Sequence, residues 1–238
     1  MTALPTSPSS APLPQLAVFD MAGTTIDDHG LVYDALRTAV EELDAPVDPA
    51  DLQRYMGAEK RYAICRLAAL AGVELSSDAA DRQFERFRAL LRDLYAVRPP
   101  VGLPGVAEAI DQLRAAGVRV ALTTGFSADI GGPLLDSLGW WERLDAVVYA
   151  SEVAQGRPAP YMIFRAMEAT GVLDVATVLV AGDTVVDLQS AVNAAAGWRI
   201  GVLTGALTGQ ELRGHGESHI LGGVRDIPQL LGLATTTS

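Results

Sequence analysis

Five short apolar runs recur along the chain, and helical stretches fill the intervals between the later ones. Residues 16–20, Leu-Ala-Val-Phe-Asp, form the first run, and 118–122, 146–149, 178–181 and 200–203 follow. Short apolar runs without polar alternation are what strands buried on both faces require. Helical periodicity near 105–116, 128–138, 160–170 and 186–196 lies between the later runs. Such alternation implies an α/β fold built on a doubly wound parallel sheet. In sheets of this kind a ligand binds just beyond the carboxyl ends of the strands.

The interval between the first two runs breaks the pattern. Roughly residues 31–98 read as helix only, with periodic stretches near 31–43, 49–56, 59–71 and 78–97. In the last of these Phe84, Phe87, Leu91 and Leu94 fall at helical spacing, while Arg82, Arg86, Arg88 and Arg92 fall largely elsewhere. That separation describes a buried stripe and a solvated face. Pro99-Pro100 and Gly102-Leu-Pro-Gly105 make a stiff, turn-rich return. The expected organisation is a core of residues 15–30 and 99–238, with a helical cap of residues 31–98 inserted after strand one. A length of 238 residues, at ~150 per domain, agrees with one domain carrying an insertion. Residues 1–14 hold four prolines among serines and threonines and read as a flexible tail. They lack the basic start and apolar run of a secretion signal.

Charge narrows the function. The chain has 18 basic and 29 acidic residues, a formal charge of −11, which argues against nucleic acid and against an anionic membrane surface. No apolar run approaches the ~20 residues of a membrane span. The lone cysteine, Cys65, excludes disulfides within the chain and fits a reducing cytoplasm. Of the 18 basic residues only Lys60 is a lysine, and it stands in Met-Gly-Ala-Glu-Lys-Arg. A phosphate-cradling Walker loop, which needs Gly-Lys-Ser/Thr, is therefore absent.

The strand ends carry the chemistry. Strand one closes on Asp20-Met-Ala-Gly-Thr-Thr-Ile-Asp27, placing a carboxylate at the cleft beside free backbone N–H groups around Gly23 and Thr24. The second closes on Thr123-Thr124-Gly125, offering a hydroxyl and an exposed amide. The fourth runs into Ala181-Gly-Asp-Thr-Val-Val-Asp187, with Asp183 at the strand end, Thr184 after it, and Asp187 a helical turn on. Facing Asp20, these acids make an oxygen-rich pocket of the kind Mg2+ prefers. Gly156-Arg157-Pro158 supplies a cation. Together these fit phosphoryl transfer in which Asp20 attacks phosphorus, Thr124 and Arg157 hold non-bridging oxygens, and an aspartyl-phosphate is hydrolysed.

These segments resemble the haloacid dehalogenase superfamily from Leu16 almost to the end. Members usually open with Asp-x-Asp, whose second acid protonates a leaving alcohol, but here that position is Ala22. Asp20-x-Ala-Gly-Thr-Thr, Arg157 in place of the usual lysine, and Met56-Gly57-x-x-Lys60 resemble the phosphonatase branch, which cleaves C–P bonds. The resemblance implies a Schiff base between Lys60 and a substrate aldehyde, and Mg2+ on Asp20, the Ala22 carbonyl and Asp183. It also implies Met56, Gly125, Thr124 and Arg157 at the substrate, Asp187 and Thr184 completing the site, and a homodimer paired through the cap. The chemistry agrees: a carbon leaving group has no alkoxide to protonate, and a protonated lysine imine supplies the electron sink that arginine cannot. A lysine on a helix is ordinarily a solvated cation, so its amine must be desolvated or set beside cations, with Arg54 and Arg61 as candidates.

The chain departs from the branch at Ala63, Phe126 and Gly30, where members carry histidine, tyrosine and cysteine. That leaves room for a substrate with an additional polar group. Competing readings are a phosphomonoesterase for a small, phosphoglycolate-type ester, a phospho-accepting receiver-type signalling module, and a dehalogenase attacking carbon. His29, His215 and His219 read as loop histidines, and Trp140-Trp141 as packing or an oligomer contact.

Overall fold

The computed structural model describes residues 12–55 and 58–233. Strand β1 (Leu16–Asp20) is buried along its full length. The chain then passes through the short strand β2 (Ile26–Asp27) into helices α1 (Leu31–Glu41), α2 (Pro49–Arg54), α3 (Lys60–Leu70) and α4 (Ser77–Val97), and returns on β3 (Val101–Gly102). After α5 (Val106–Ala115), β4 (Arg119–Thr124), α6 (Ala128–Leu138), β5 (Ala146–Tyr149) and α7 (Tyr161–Thr170) come β6 (Val178–Gly182), α8 (Val185–Ala194) and β7 (Trp198–Val202). The chain closes with α9 (Gly209–Leu212), β8 (His219–Leu221) and α10 (Ile227–Leu230).

Six strands form one parallel sheet in the order β5-β4-β1-β6-β7-β8. β1 lies at its centre, with Asp20 beside Thr123 of β4 and Phe19 beside Ala181 of β6. The ends of β1, β4 and β6 therefore meet at one edge, where the chain reverses its direction of winding. The sixth strand, β8, escapes the periodicity argument because it is three residues long, bounded by Gly216 and Gly222. His219 accordingly sits on an edge strand and not in a loop.

The two crossings to the helical segment pair as an antiparallel ribbon, Ile26 with Gly102 and Asp27 with Val101. A side chain at Gly102 would collide with the buried Trp140 ring, so that tryptophan serves packing; Trp141, 43% exposed, donates from Nε1 to Asp136 at 2.6 Å. In α1, Val32, Ala35, Leu36, Ala39 and Val40 recur at helical spacing and are buried. They share a cluster with Ile64 and Leu67 of α3 and Phe87 and Leu91 of α4, with Phe84 and Leu94 half-buried against it. Caps set the helix starts: Asp48 accepts from Ala50 N, Ser76 from Ala79 N, and Glu59 from the N–H groups of Arg61 and Tyr62. The arginines of α4 face outward to partners, Arg86 to Glu42, and Arg88 and Arg92 to Asp129 at the start of α6. Among the described residues no helix is long and apolar enough to cross a membrane.

Candidate active site

Asp20 ends β1, and its carboxylate is buried where the sheet meets the helical segment. Asp183 follows the last residue of β6, and Asp187 lies in the first turn of α8. One carboxylate oxygen from each of the three lies within 4.8 Å of the others, all buried. Such proximity needs backbone without side chains around it. A Cβ on Gly23, whose φ is +83°, or on Gly205 would overlap the Asp183 carboxylate, and one on Gly182 would overlap Asp187. Thr204 Oγ1 donates to Gly23 O at 2.6 Å and fixes the loop.

Arg157 is the counter-cation. Nη2 meets Asp20 Oδ1 at 2.6 Å, Nε meets Asp187 Oδ1 at 3.0 Å, and Nη2 also donates to the carbonyl and hydroxyl of Thr123, both at 2.9 Å. Asp187 Oδ2 accepts from Thr184 N at 3.0 Å and from the Thr184 hydroxyl. Thr24 Oγ1 donates to Asp183 Oδ1 at 2.8 Å, and Thr124 Oγ1 accepts from Phe126 N at 3.1 Å.

Burial with two neighbouring carboxylates opposes ionisation here. Burial raises Asp20 from 3.8 to about 6, Arg157 opposing and Asp187 adding to the rise. Burial, then Asp20 and Asp187, hold Asp183 well above the ordinary carboxyl range. At Arg157 burial works against the charged form but is outweighed by Asp187 and Asp20, so its pKa is raised. Three buried carboxylates against one guanidinium leave surplus negative charge among hard oxygen donors. That arrangement suits Mg2+, and the residues present fit it.

Lys60 begins α3 and is only 4% exposed. Its Nζ donates to Ala58 O at 2.9 Å and lies 5.8 Å from the centroid of the Tyr33 ring. Burial lowers its pKa from 10.5 to about 8; Asp20 opposes that, and Arg157 adds to it. At neutral pH the free-amine fraction is thereby larger than that of an ordinary lysine. The cation facing Lys60 is thus Arg157, not Arg54 or Arg61. Arg54 pairs with Asp51, and Arg61 with Asp81 and Ser77, on the exposed side of the helices.

Asp20, Ala22, Lys60, Thr124, Gly125, Arg157 and Thr184 line one small cavity with Val32, Tyr33 and Phe126. Gly23, Thr24, Asp183 and Asp187 sit behind it, Thr24 turned to Asp183 instead of the open space. Met56 lies outside the described residues. Sequence reasoning missed Thr123 and Tyr33. Thr123 is one residue before the threonine expected to matter, and Tyr33 reads as a helix residue. Asp28 accepts from Val32 N at 3.0 Å and from the Tyr95 hydroxyl at 3.4 Å.

A family model described as haloacid dehalogenase-like hydrolase matches residues 14–195. The chain is 31% identical over 235 residues to a phosphonoacetaldehyde hydrolase of Latilactobacillus sakei, spanning 92% of this chain and 84% of that one. It is 32% identical over 189 residues to a phosphoglycolate phosphatase of Agrobacterium fabrum, spanning 79% and 80%. A shorter match, 38% identical over 107 residues, covers 44% of this chain and only 39% of a phosphonoacetaldehyde hydrolase of Parabacteroides distasonis. Among solved structures, a phosphonoacetaldehyde hydrolase-like protein of Oleispira antarctica superposes with a TM-score of 0.81 at 23% identity, over 97% of this chain and 96% of that one.

Proposed function

Given that this chain belongs to the haloacid dehalogenase-like hydrolase family, we propose that it hydrolyses the C–P bond of phosphonoacetaldehyde or a close 2-oxoethylphosphonate analogue. The observation that supports this is one cavity shared by the carboxylate of Asp20 and the chain's only lysine amine, with alanine at position 22. Residues 31–98 would act as a cap delivering that amine.

The Lys60 amine adds to the substrate carbonyl and expels water, leaving a protonated imine. Asp20 then attacks phosphorus; the C–P electron pair moves into the imine as an enamine, and phosphorus passes to the carboxylate. Protonation at carbon and hydrolysis of the imine release the carbonyl product and restore Lys60, while water cleaves the aspartyl-phosphate to phosphate. Arg157 and the Thr124–Gly125 turn orient the phosphonate oxygens. Asp20, the Ala22 carbonyl and Asp183 would hold Mg2+, with Thr184 and Asp187 fixing Arg157 and the α8 terminus behind them. The bound ion would offset repulsion between the two anions. Residue 22 bears no acid, and this chemistry needs none there, since no alkoxide departs.

The similarity to a phosphoglycolate phosphatase favours a second reading, a phosphomonoesterase for a small ester. Ala22 counts against it, because an alkoxide would leave without its acid. A receiver-type signalling role falls with membership in a hydrolase family. A cytoplasmic site of action and a homodimer through residues 31–98 accompany the phosphonatase reading. Phosphate release should be measured on phosphonoacetaldehyde and on phosphoglycolate for the wild type and Lys60→Arg. The wild type should favour the phosphonate and Lys60→Arg should lose it entirely; faster turnover of the ester, untouched by the substitution, would establish the phosphatase.

A further inference from the structure

The cavity holding Asp20 and Lys60 measures about 20 Å3, room for little more than one water. Beside it lies a cleft of about 470 Å3, within the ~300–1,000 Å3 usual for ligand sites. Gly125, Phe126 and Arg157 wall both spaces. The cleft is thus the adjoining space into which a molecule with its phosphorus at Asp20 and its carbonyl at Lys60 would extend. Phosphonoacetaldehyde ends at the carbonyl carbon and carries no substituent beyond it for the cleft to hold.

The charged groups around this cleft are already committed. Glu59 accepts from the N–H groups of Arg61 and Tyr62; Arg61 is held by Asp81 and Ser77; Arg157 is held by Asp20, Asp187 and Thr123. What remains toward the space is mostly apolar, the ring of Tyr62, 53% exposed, with Phe84, Phe126, Val153 and Ala154, broken by Ser127, Ser151 and Gln155. Aromatic and small apolar walls joined to a polar reaction centre are the ordinary make-up of a site for a tailed substrate.

We propose that the substrate is a 2-oxoalkylphosphonate with an unbranched apolar tail beyond the carbonyl, and that the tail lies between Tyr62, Phe84 and Phe126. This rests on the C–P hydrolase reading. It differs from the additional polar group anticipated from Ala63, Phe126 and Gly30, because apolar surface makes up most of the cleft wall.

The probes are 2-oxopropyl-, 2-oxopentyl- and 4-carboxy-2-oxobutylphosphonate, all ketones of matched reactivity, with phosphonoacetaldehyde as the reference for C–P cleavage. Two further carbons leaving water should raise kcat/KM for 2-oxopentylphosphonate ~10-fold over 2-oxopropylphosphonate. The carboxylate counterpart should fall to the 2-oxopropyl value or below. Phe84→Ala should bring the pentyl-to-propyl ratio near one, and Phe84→Leu should keep most of it. If phosphonoacetaldehyde is cleaved but the ratio is already near one in the wild type, the tail site is refuted and the C–P reading stands. If no phosphonate is cleaved but pentyl phosphate outpaces methyl phosphate with the same Phe84 dependence, the cleft assignment survives and the C–P reading falls. Absence of tail dependence in both series overturns the proposal.

Discussion

Arg157→Met should destabilise the metal-free protein mainly above the pH at which the site's carboxyls ionise. The guanidinium is buried and pairs with Asp20 at 2.6 Å and Asp187 at 3.0 Å, with Thr123 taking two further hydrogen bonds. Removing one partner of a buried charge pair costs ~3–5 kcal/mol, because the remaining charge is left uncompensated. The sign follows from Asp20. Its pKa is about 6 in the fold against 3.8 ordinarily, so the ionised fold is penalised above about 6 and relieved as pH falls. Arg157 holds that value down, so in the variant it rises further and the penalty at high pH grows. At low pH Asp20 and Asp183 take up protons, and what remains is the Asp187 pair with the lost hydrogen bonds and packing, a smaller cost than at high pH. Urea unfolding in EDTA, followed by far-ultraviolet circular dichroism near pH 5 and pH 8, measures both values. Arg157→Lys keeps the charge but cannot reach Asp20 and Asp187 as a fork, so it should fall between. A loss equal at the two pH values would show that Arg157 stabilises by packing alone and would refute the charge account.

Magnesium at ~100 times its dissociation constant should stabilise the wild type by ~2.7 kcal/mol, raising Tm by ~5–10 °C. The shift should be larger at pH 8 than at pH 5, where protons compete for Asp20 and Asp183, and absent in Asp183→Asn; calorimetry decides it. Gly23→Ala must place a side chain on the Asp183 carboxylate at positive φ, and should abolish phosphate release and the magnesium shift together. Gly30→Ala, also at positive φ but facing open space, should cost only the ~1–2 kcal/mol of left-handed strain and leave turnover intact. With Lys60 near 8, kcat/KM for phosphonoacetaldehyde should climb tenfold per pH unit below about 8 and level above it. A profile flat from pH 6.5 to 9 would remove Lys60 from the rate-determining chemistry.

The sheet was legible because β1, β4, β5, β6 and β7 are apolar runs of four to six residues, the later ones alternating with helices, and the strand-end acids follow from where those runs stop. The pair β2 and β3 and the edge strand β8 were not, since two or three residues carry no period and their pairing is decided by tertiary contact. Asp20, Asp183 and Arg157 could be named from motif order, but Arg157's span to both Asp20 and Asp187 depends on a loop whose path no local signal describes. Lys60 stood out by being the only lysine; its burial beside Tyr33, and the commitment of Arg54 and Arg61 elsewhere, are products of how α1, α2, α3 and α4 pack. The close approach that demands Gly205 joins residues far apart in the chain, and spacing cannot anticipate it.

The central claim is that Lys60 forms an imine with the substrate carbonyl. The protein should be incubated with phosphonoacetaldehyde, magnesium and borohydride, digested, and analysed by peptide mass spectrometry. Lys60 is the only side-chain amine, so the chain offers just one other site, its terminal amine. A reduced two-carbon adduct on Lys60, formed in step with loss of activity, is the predicted result. Continued phosphate release with Lys60 unmodified would contradict the account.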